Sequence, residues 1–248
     1  MMKPVSAHTW LSVIRISNLP TVAMNVICAS VLTMLIAFEQ GFSVVVCILF
    51  LIAMSALYCG GMAQNDWLDA DFDAEHQAYR PVPAGKVERA QVKNISFGLL
   101  AGGLGILAAL GIRGLIAGLI LIVLITAYNI LHKRTRFAVL LMALCRLGIY
   151  LGISYTLTAA LIPSVIAAGL AQCLNTFFIT AVARYEGMKK QQDPNFAFSV
   201  PLIPSLIAGM CILDGFVLTF FTKNVSWIIL GVAMFLLTRY WQKIIRGD

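Results

Sequence analysis

Charge is scarce in this chain. Only 12% of its 248 residues are Asp, Glu, Lys or Arg, against 60% hydrophobic residues, whereas soluble domains are about a quarter charged. That balance excludes a soluble globular domain. Histidine is thin too: His8, His76 and His132 are scattered, which speaks against a zinc site. The six cysteines (28, 47, 59, 145, 173 and 211) form no CxxC pair and sit within or at the ends of apolar runs. They indicate neither a metal ribbon nor a disulfide framework, and read as small buried side chains. No low-complexity segment interrupts the chain, so residues 1–248 read as a single transmembrane domain.

Apolar residues instead come in blocks: Asn18–Phe38, Phe42–Ala63, Ile95–Leu110, Leu115–Leu131, Phe137–Ala160, Pro163–Ala183, Phe196–Phe221 and Val225–Leu237. Most are long enough, or nearly so, to cross the hydrocarbon core. Lipid offers the backbone no hydrogen-bond partner, so each block must be helical. The expected fold is an all-α integral membrane bundle of about eight helices. The 95–110 block is the weakest, being short and glycine-rich. The first block is followed by Glu39-Gln40 rather than a small-residue cleavage site, and is not expected to be a cleaved signal peptide. Glycines 98, 102, 114 and 118 stand at small-xxx-small spacing and predict close helix contacts.

The net charge of +7 could suggest nucleic acid, but its distribution argues for a membrane. With the loops numbered from the N-terminus, the bases at 3, 15, 80, 86, 89, 93, 133, 134, 136, 184, 189, 190, 239, 243 and 246 fall on one side. Only Arg113 and Lys223 fall on the other. This asymmetry is the positive-inside pattern and places both termini of a multi-pass protein in the cytoplasm. The partners are membrane lipid and no nucleic acid. The inner face also carries the longer connections (64–94, 128–137 and 184–195), so chemistry is expected there.

The run Gln64-Asn65-Asp66-Trp67-Leu68-Asp69-Ala70-Asp71-Phe72-Asp73 packs four carboxylates into eight residues at the end of the second block. Continued as a helix at about 100° per residue, Asp66, Asp69 and Asp73 fall within roughly 60° of one another and Asp71 points away. Three carboxylates on one stripe, beside an amide, suit a hard divalent cation. Mg2+ takes one or two carboxylates, keeps waters, and completes its shell with phosphate oxygens. The alternative is a solvated acidic loop. Downstream, Arg80-Pro81-Val82-Pro83-Ala84-Gly85 forces an extended turn. Arg80 could reach a phosphate at the acidic stripe or pair with Glu75.

These residues resemble a known family. Asn65-Asp66-x-x-Asp69-x-x-x-Asp73 is similar to the NDxxDxxxD motif of the UbiA superfamily of intramembrane prenyltransferases, and Arg80 to Gly85 resembles the RP-x-P-x-G segment that follows it. Tyr128 to Arg134 resembles the family's Tyr…Lys-Arg element, and Ile16 to Thr21 with Asn25 the start of its first helix. The similarity spans residues 15–190. Ala183 to Gly187 and Leu144 to Leu147 resemble a divergent bacterial branch, the UbiA-like EboC proteins.

The resemblance implies a bundle of mostly nine helices around a central cavity. It implies Mg2+-dependent transfer of a prenyl group from a polyprenyl diphosphate to a small, often aromatic, acceptor. Asp66, Asp69 and Asp73 would be catalytic, and with Glu186 would be the metal ligands. Asn65, Arg80, Tyr128, Lys133, Arg134, Arg184 and Lys189 would bind the diphosphate. Asn25, Arg146 and Asn175 would line the substrate cavity.

The chain departs from that pattern after the sixth block, where a second acidic motif is expected and only Glu186, then Asp193, is acidic. Arg184, Lys189 and Lys190 could supply positive charge in its place or be ordinary inner-face bases. Arg146, inside the fifth block, either serves the site or snorkels to the headgroups. Asn25 and Asn175 equally suit interhelical hydrogen bonds. Asp214 is expected to stand apart from the site, and His132 merely to belong to the basic loop. An alternative to the enzyme is a protein that binds or carries a prenyl diphosphate or lipid without transfer.

Overall fold

A computed structural model describes residues 5–37, 43–193 and 201–245. Phe38, Phe42, Phe196 and Arg246, and the side chain of Lys190, lie outside the described residues. The described chain is all helix and connection. In order, the helices are α1 (Ala7–Val13), a 3-10 turn (Ile16–Asn18), α2 (Leu19–Ala37), α3 (Val44–Leu68), α4 (Ala70–His76), α5 (Arg89–Ala109), α6 (Ile112–Leu131), α7 (Ala138–Thr158), α8 (Pro163–Gln192), α9 (Leu202–Thr222) and α10 (Ser226–Ile244).

Among the described residues, eight long helices correspond to the eight apolar blocks, and seven of them are long and apolar enough to cross a membrane. The eighth, α10, has the length, but its last turns carry Arg239, Gln242 and Lys243. The weak third block is a full 21-residue helix. Its first turns, Arg89 to Asn94, are polar and escape a hydropathy reading; the capping box of Glu88 and Gln91 starts it there.

Helix α2 forms the axis. Of its membrane-length stretch 78% is buried, against 28–44% for the other spans. Val22, Val26, Ala29 and Leu32 on α2 pack with Phe50 and Leu57 of α3, Tyr150 and Ile153 of α7, Val165 of α8 and Leu218 of α9 in one core. The outer surface keeps large apolar side chains exposed, among them Val123, Leu174, Phe178, Phe220 and Ile229. In water such a surface would drive association; in lipid it faces a solvent of its own kind. The protein is a multi-pass integral membrane protein.

Glycine sets two of the closest approaches. A Cβ at Gly215 would meet the Trp227 carbonyl of α10, and one at Gly231 the Cys211 carbonyl of α9. Gly114 and Gly118 likewise face Leu107 of α5, as their spacing predicted. Gly98 and Gly102 do not: a Cβ at either would touch nothing, so these two face outward. The 3.6-residue period that aligns Gly98 with Gly102 says nothing of which neighbour that stripe meets.

Both described chain ends lie at the polar end of α3. His8 Nε2 lies 3.2 Å from the Ile244 carbonyl, and Gln242 Nε2 donates to Asn18 Oδ1 at 3.0 Å.

Candidate active site at the polar mouth of the bundle

Helix α3 yields to α4 at Asp69 without losing its hydrogen-bond ladder. Asp69 N donates to the Asn65 carbonyl at 2.9 Å, Asp73 N to Asp69 at 2.8 Å and Gln77 N to Asp73 at 2.7 Å. The helical stripe read from spacing therefore holds. Asp66, Asp69 and Asp73 are buried, the Asp73 side chain being 1% exposed, while that of Asp71 is 84% exposed. Asp71 pairs outward with Arg89 Nη1, at 2.9 and 3.1 Å from its two oxygens.

Basic side chains from three segments converge on the buried stripe. Arg80 Nη1 lies 3.1 Å from Asp73 Oδ2 and 3.5 Å from Asp66 Oδ1, and its Nε donates to Gln77 Oε1 at 2.9 Å. Arg80 is returned to the stripe by a tight turn, its N donating to the Gln77 carbonyl at 2.9 Å, and the chain then leaves through Gly85, whose φ of +66° suits glycine. Arg80 thus faces the stripe rather than Glu75. Lys133 Nζ bridges Asp69 Oδ2 at 3.1 Å and Asp73 Oδ1 at 3.3 Å, and lies 3.7 Å from the Phe72 ring centroid. His132 Nε2 is 3.0 Å from Asp69 Oδ2, and its Nδ1 faces the Asn129 carbonyl at 3.0 Å. Arg15 sits in the left-handed region at φ 48° between α1 and the 3-10 turn. There it reaches Asp66 Oδ1 at 3.5 Å, Asn65 Oδ1 at 3.3 Å and Met62 Sδ at 3.4 Å.

Asn65 completes the group, its Nδ2 donating to Asp69 Oδ2 at 3.1 Å. Burial alone would raise the Asp69 carboxyl, but the His132 bond and the Lys133 ammonium outweigh it and hold Asp69 below the ordinary carboxylate range. Above the mouth, Asn129 Nδ2 donates to Gly61 O and Gln64 Oε1, both at 2.9 Å, and Gln64 Nε2 to Thr126 Oγ1 at 3.2 Å. These bonds tie α6 to α3 and fix where Lys133 and His132 emerge.

The donor set suits Mg2+: hard carboxylate oxygens with an adjoining amide. Each neighbouring pair, Asp66 with Asp73 and Asp69 with Asp73, shares one protein cation. Among the described residues, no three or more His, Cys, Asp or Glu side chains are disposed to hold a metal as they stand. Their oxygens are turned to Arg15, Arg80, His132 and Lys133. Glu186 is half-buried on α8, and Asp193 is exposed beyond its end.

Behind the mouth, between α3, α6 and α7, lies an apolar cavity of about 60 Å³. Tyr58, Leu57 and Met62 of α3, Tyr128 of α6 and Ile149 of α7 line it, with Arg146 as the one charged wall residue among the described residues. Arg146 does not snorkel. Its Nη1 donates to Asn25 Oδ1 at 2.7 Å and its Nη2 to Thr21 Oγ1 at 3.3 Å. Asn25 Nδ2 donates onward to Asp214 Oδ2 at 2.6 Å and to Tyr150 Oη at 3.1 Å, and Tyr150 donates to Asp214 Oδ1 at 2.5 Å. Asp214, expected to stand apart, is therefore linked to the cavity wall through one amide.

A second, larger cavity of about 480 Å³ opens between α6, α7 and α8 at the same end, with Tyr128 in the walls of both. Arg184 lines it and donates to the Thr135 carbonyl at 3.1 Å. Other expected residues are not brought to the stripe. Arg134 is exposed, Lys189 lies 5.9 Å from the Tyr185 ring centroid, and Asn175 is half-buried on α8.

Sequence reasoning missed Arg15, His132, Tyr150 and Asp214. For Asp214 the signal was present, since a lone carboxylate in an apolar run has to face a polar partner. Arg15 gave none, because its partners lie some fifty residues along the chain.

Fold and site together define a polytopic helical membrane protein with a carboxylate–cation cluster at the mouth of an apolar core. The chain belongs to the UbiA prenyltransferase family, whose sequence profile matches residues 25–248. Chlorophyll synthase of Arabidopsis thaliana is 44% identical over 48 residues, 19% of this chain and 12% of that protein's own length. A digeranylgeranylglyceryl phosphate synthase structure superposes with a TM-score of 0.62 at 18% identity, covering 95% of this chain and 93% of that one. A UbiA homologue from Archaeoglobus fulgidus bound to GPP and Mg2+ gives 0.59 at 16% identity, over 96% and 87% of the two chains. At such identities the two structures establish the fold.

Proposed function

We propose that this protein is an intramembrane prenyltransferase, moving a prenyl group from a polyprenyl diphosphate to a small, often aromatic, acceptor with Mg2+. The observation that carries the reading is the buried stripe of Asp66, Asp69 and Asp73, faced by Arg80 and Lys133 at the mouth of an apolar cavity. Asp66, Asp69 and Asp73 would hold the metal, with Asn65 orienting Asp69. Bound there, Mg2+ supplies concentrated positive charge to a departing diphosphate.

The chain's own part is positioning. Arg80 and Lys133 neutralise the carboxylates and turn to the phosphate oxygens when substrate arrives, stabilising the charge that grows on the leaving group. The C–O bond breaks with its electron pair going to the diphosphate. The acceptor then bonds the allylic carbon and releases a proton. Tyr58 and Tyr128, in the cavity wall, offer ring faces to the allylic cation. Arg146, fixed by Asn25 and Thr21, offers its remaining N–H groups to a polar acceptor. The GPP and Mg2+ of the A. fulgidus homologue support this assignment of ligands. The positive-inside distribution supports a mouth and both termini in the cytoplasm, and the resemblance to a bacterial branch of the family supports a bacterial inner membrane.

A second reading, a diphosphate-binding carrier, is favoured by one observation: among the described residues, no carboxylate lines the cavity beside Arg184. The test is release of pyrophosphate from labelled prenyl diphosphates of several lengths, with Mg2+ and a panel of aromatic acceptors, by the purified protein. Turnover that is lost in Asp69→Asn supports the transferase. Mg2+-dependent binding without turnover across the whole panel replaces it with the carrier.

A further inference from the structure

We infer that the cavity between α6, α7 and α8 seats the phosphate end of the prenyl diphosphate, and that Arg184 and Arg136 supply there the positive charge a second metal would otherwise bring. The inference rests on the prenyl-diphosphate reading above and deepens it: the site takes one divalent cation, not two.

Geometry carries it. The cavity adjoins the acidic stripe through His132, which lines the one and contacts Asp69 of the other. Arg136 enters from the connection before α7 and Arg184 from α8. On α8, Thr180, Ala183, Arg184, Gly187 and Met188 share the cavity face, at helical spacings of three and four residues. Glu186 is two residues from Arg184, about 200° around the helix, and so is carried off that face. A Cβ at Gly187 would touch nothing, so this position leaves the cavity open.

The chemistry of the wall decides what it binds. Mg2+ needs oxygen donors, preferably carboxylate. Among the described residues, no Asp or Glu lines this cavity, and its charged side chains are arginines. A second Mg2+ does not fit such a wall. A phosphate does: guanidinium presents paired N–H groups that match phosphate oxygens. Arg184 is already oriented by the Thr135 carbonyl through Nη1 alone, leaving its other donors for a ligand. Anionic lipid headgroups share this chemistry, so the source of the phosphate has to be separated by experiment.

The test uses the full chain in detergent with Mn2+ in place of Mg2+ and geranyl thiolodiphosphate, an unreactive analogue. Electron paramagnetic resonance counts bound Mn2+, and calorimetry gives the analogue's affinity. The expected result is one Mn2+ per chain, with affinity for the analogue falling at least tenfold in Arg184→Ala and in Arg136→Ala while the metal count stays at one. Arg184→Lys, which keeps the charge, should recover part of the loss and shows that the fold is intact. Two Mn2+ per wild-type chain, or unchanged affinity in both alanine variants, overturns the inference while leaving the transferase reading in place. So does loss of binding to phosphatidylglycerol vesicles in Arg184→Ala with analogue affinity intact, which would assign the cavity to lipid. Absence of any Mn2+-dependent analogue binding by the wild type removes the parent reading itself.

Discussion

Arg146 and Asp214 are joined through a single amide. Asn25 accepts from Arg146 Nη1 at 2.7 Å and donates to Asp214 Oδ2 at 2.6 Å, so α7 and α9 are bound across the central helix α2. All three side chains are buried, Asn25 and Asp214 completely. A charge removed from such a network leaves its opposite uncompensated. Asp214→Ala should therefore cost about 3–5 kcal/mol of stability. The double variant Arg146→Met/Asp214→Asn should be less damaging than its two single changes together, by roughly 1–3 kcal/mol. Thermal unfolding in detergent measures both, and strict additivity would show that the two charges do not sense each other.

Arg80 and Lys133 pair with the carboxylates that would hold a metal, and on the reading above they would also bind the diphosphate. Their removal should act with opposite sign on two ligands. Arg80→Ala should raise affinity for Mn2+ alone, by about tenfold, because a competing cation is gone. The same variant should lower affinity for the prenyl diphosphate in the presence of Mn2+. A change of the same sign on both would mean that Arg80 serves neither role.

Asp71 and Asp73 lie two residues apart and face opposite ways. Asp73→Asn should lower the rate of prenyl transfer by about 100- to 1,000-fold, the scale seen when one preorganised electrostatic group is lost. Asp71→Asn removes only an exposed pair with Arg89, worth at most about 1 kcal/mol, and should leave transfer within about twofold of the parent. Equal losses at both positions would contradict a one-sided site. Initial rates with saturating Mg2+ decide it.

The glycines divide along the same line of contact against exposure. Gly215→Leu places side-chain carbon against the Trp227 carbonyl and should destabilise the α9–α10 pair by about 1–3 kcal/mol or more. Gly98→Ala faces open space and should be neutral or mildly stabilising, since alanine is the better helix former by about 1 kcal/mol. Detergent melting curves of the two variants should move in clearly different ways.

Much of the site was legible because it lies on one short stretch of helix. The positions 66, 69 and 73 need only the helical period to be placed on one stripe, and the ladder from Asn65 to Gln77 keeps that period through the break at Asp69. The choice of Arg80 for the stripe over Glu75 depended on the tight turn from Gln77 to Arg80. The start of α5 was hidden, because its first turns are polar and are defined by a cap rather than by hydropathy. Glu186 and Arg184 were both visible as residue types, but which of them faces the cavity depends on the rotation of α8 against α6 and α7.

Composition and the length of the apolar runs determined by themselves that this chain is a helical membrane protein, because a backbone in lipid has no other way to satisfy its hydrogen bonds. Local periodicity determined the acidic stripe. Only the tertiary structure decided which bases meet those acids, that α2 is the central helix, and that Asn25, Arg146 and Asp214 form one chain of hydrogen bonds. Those pairings link residues 121 and 189 positions apart. No period along the sequence reaches that far; packing alone chooses such partners.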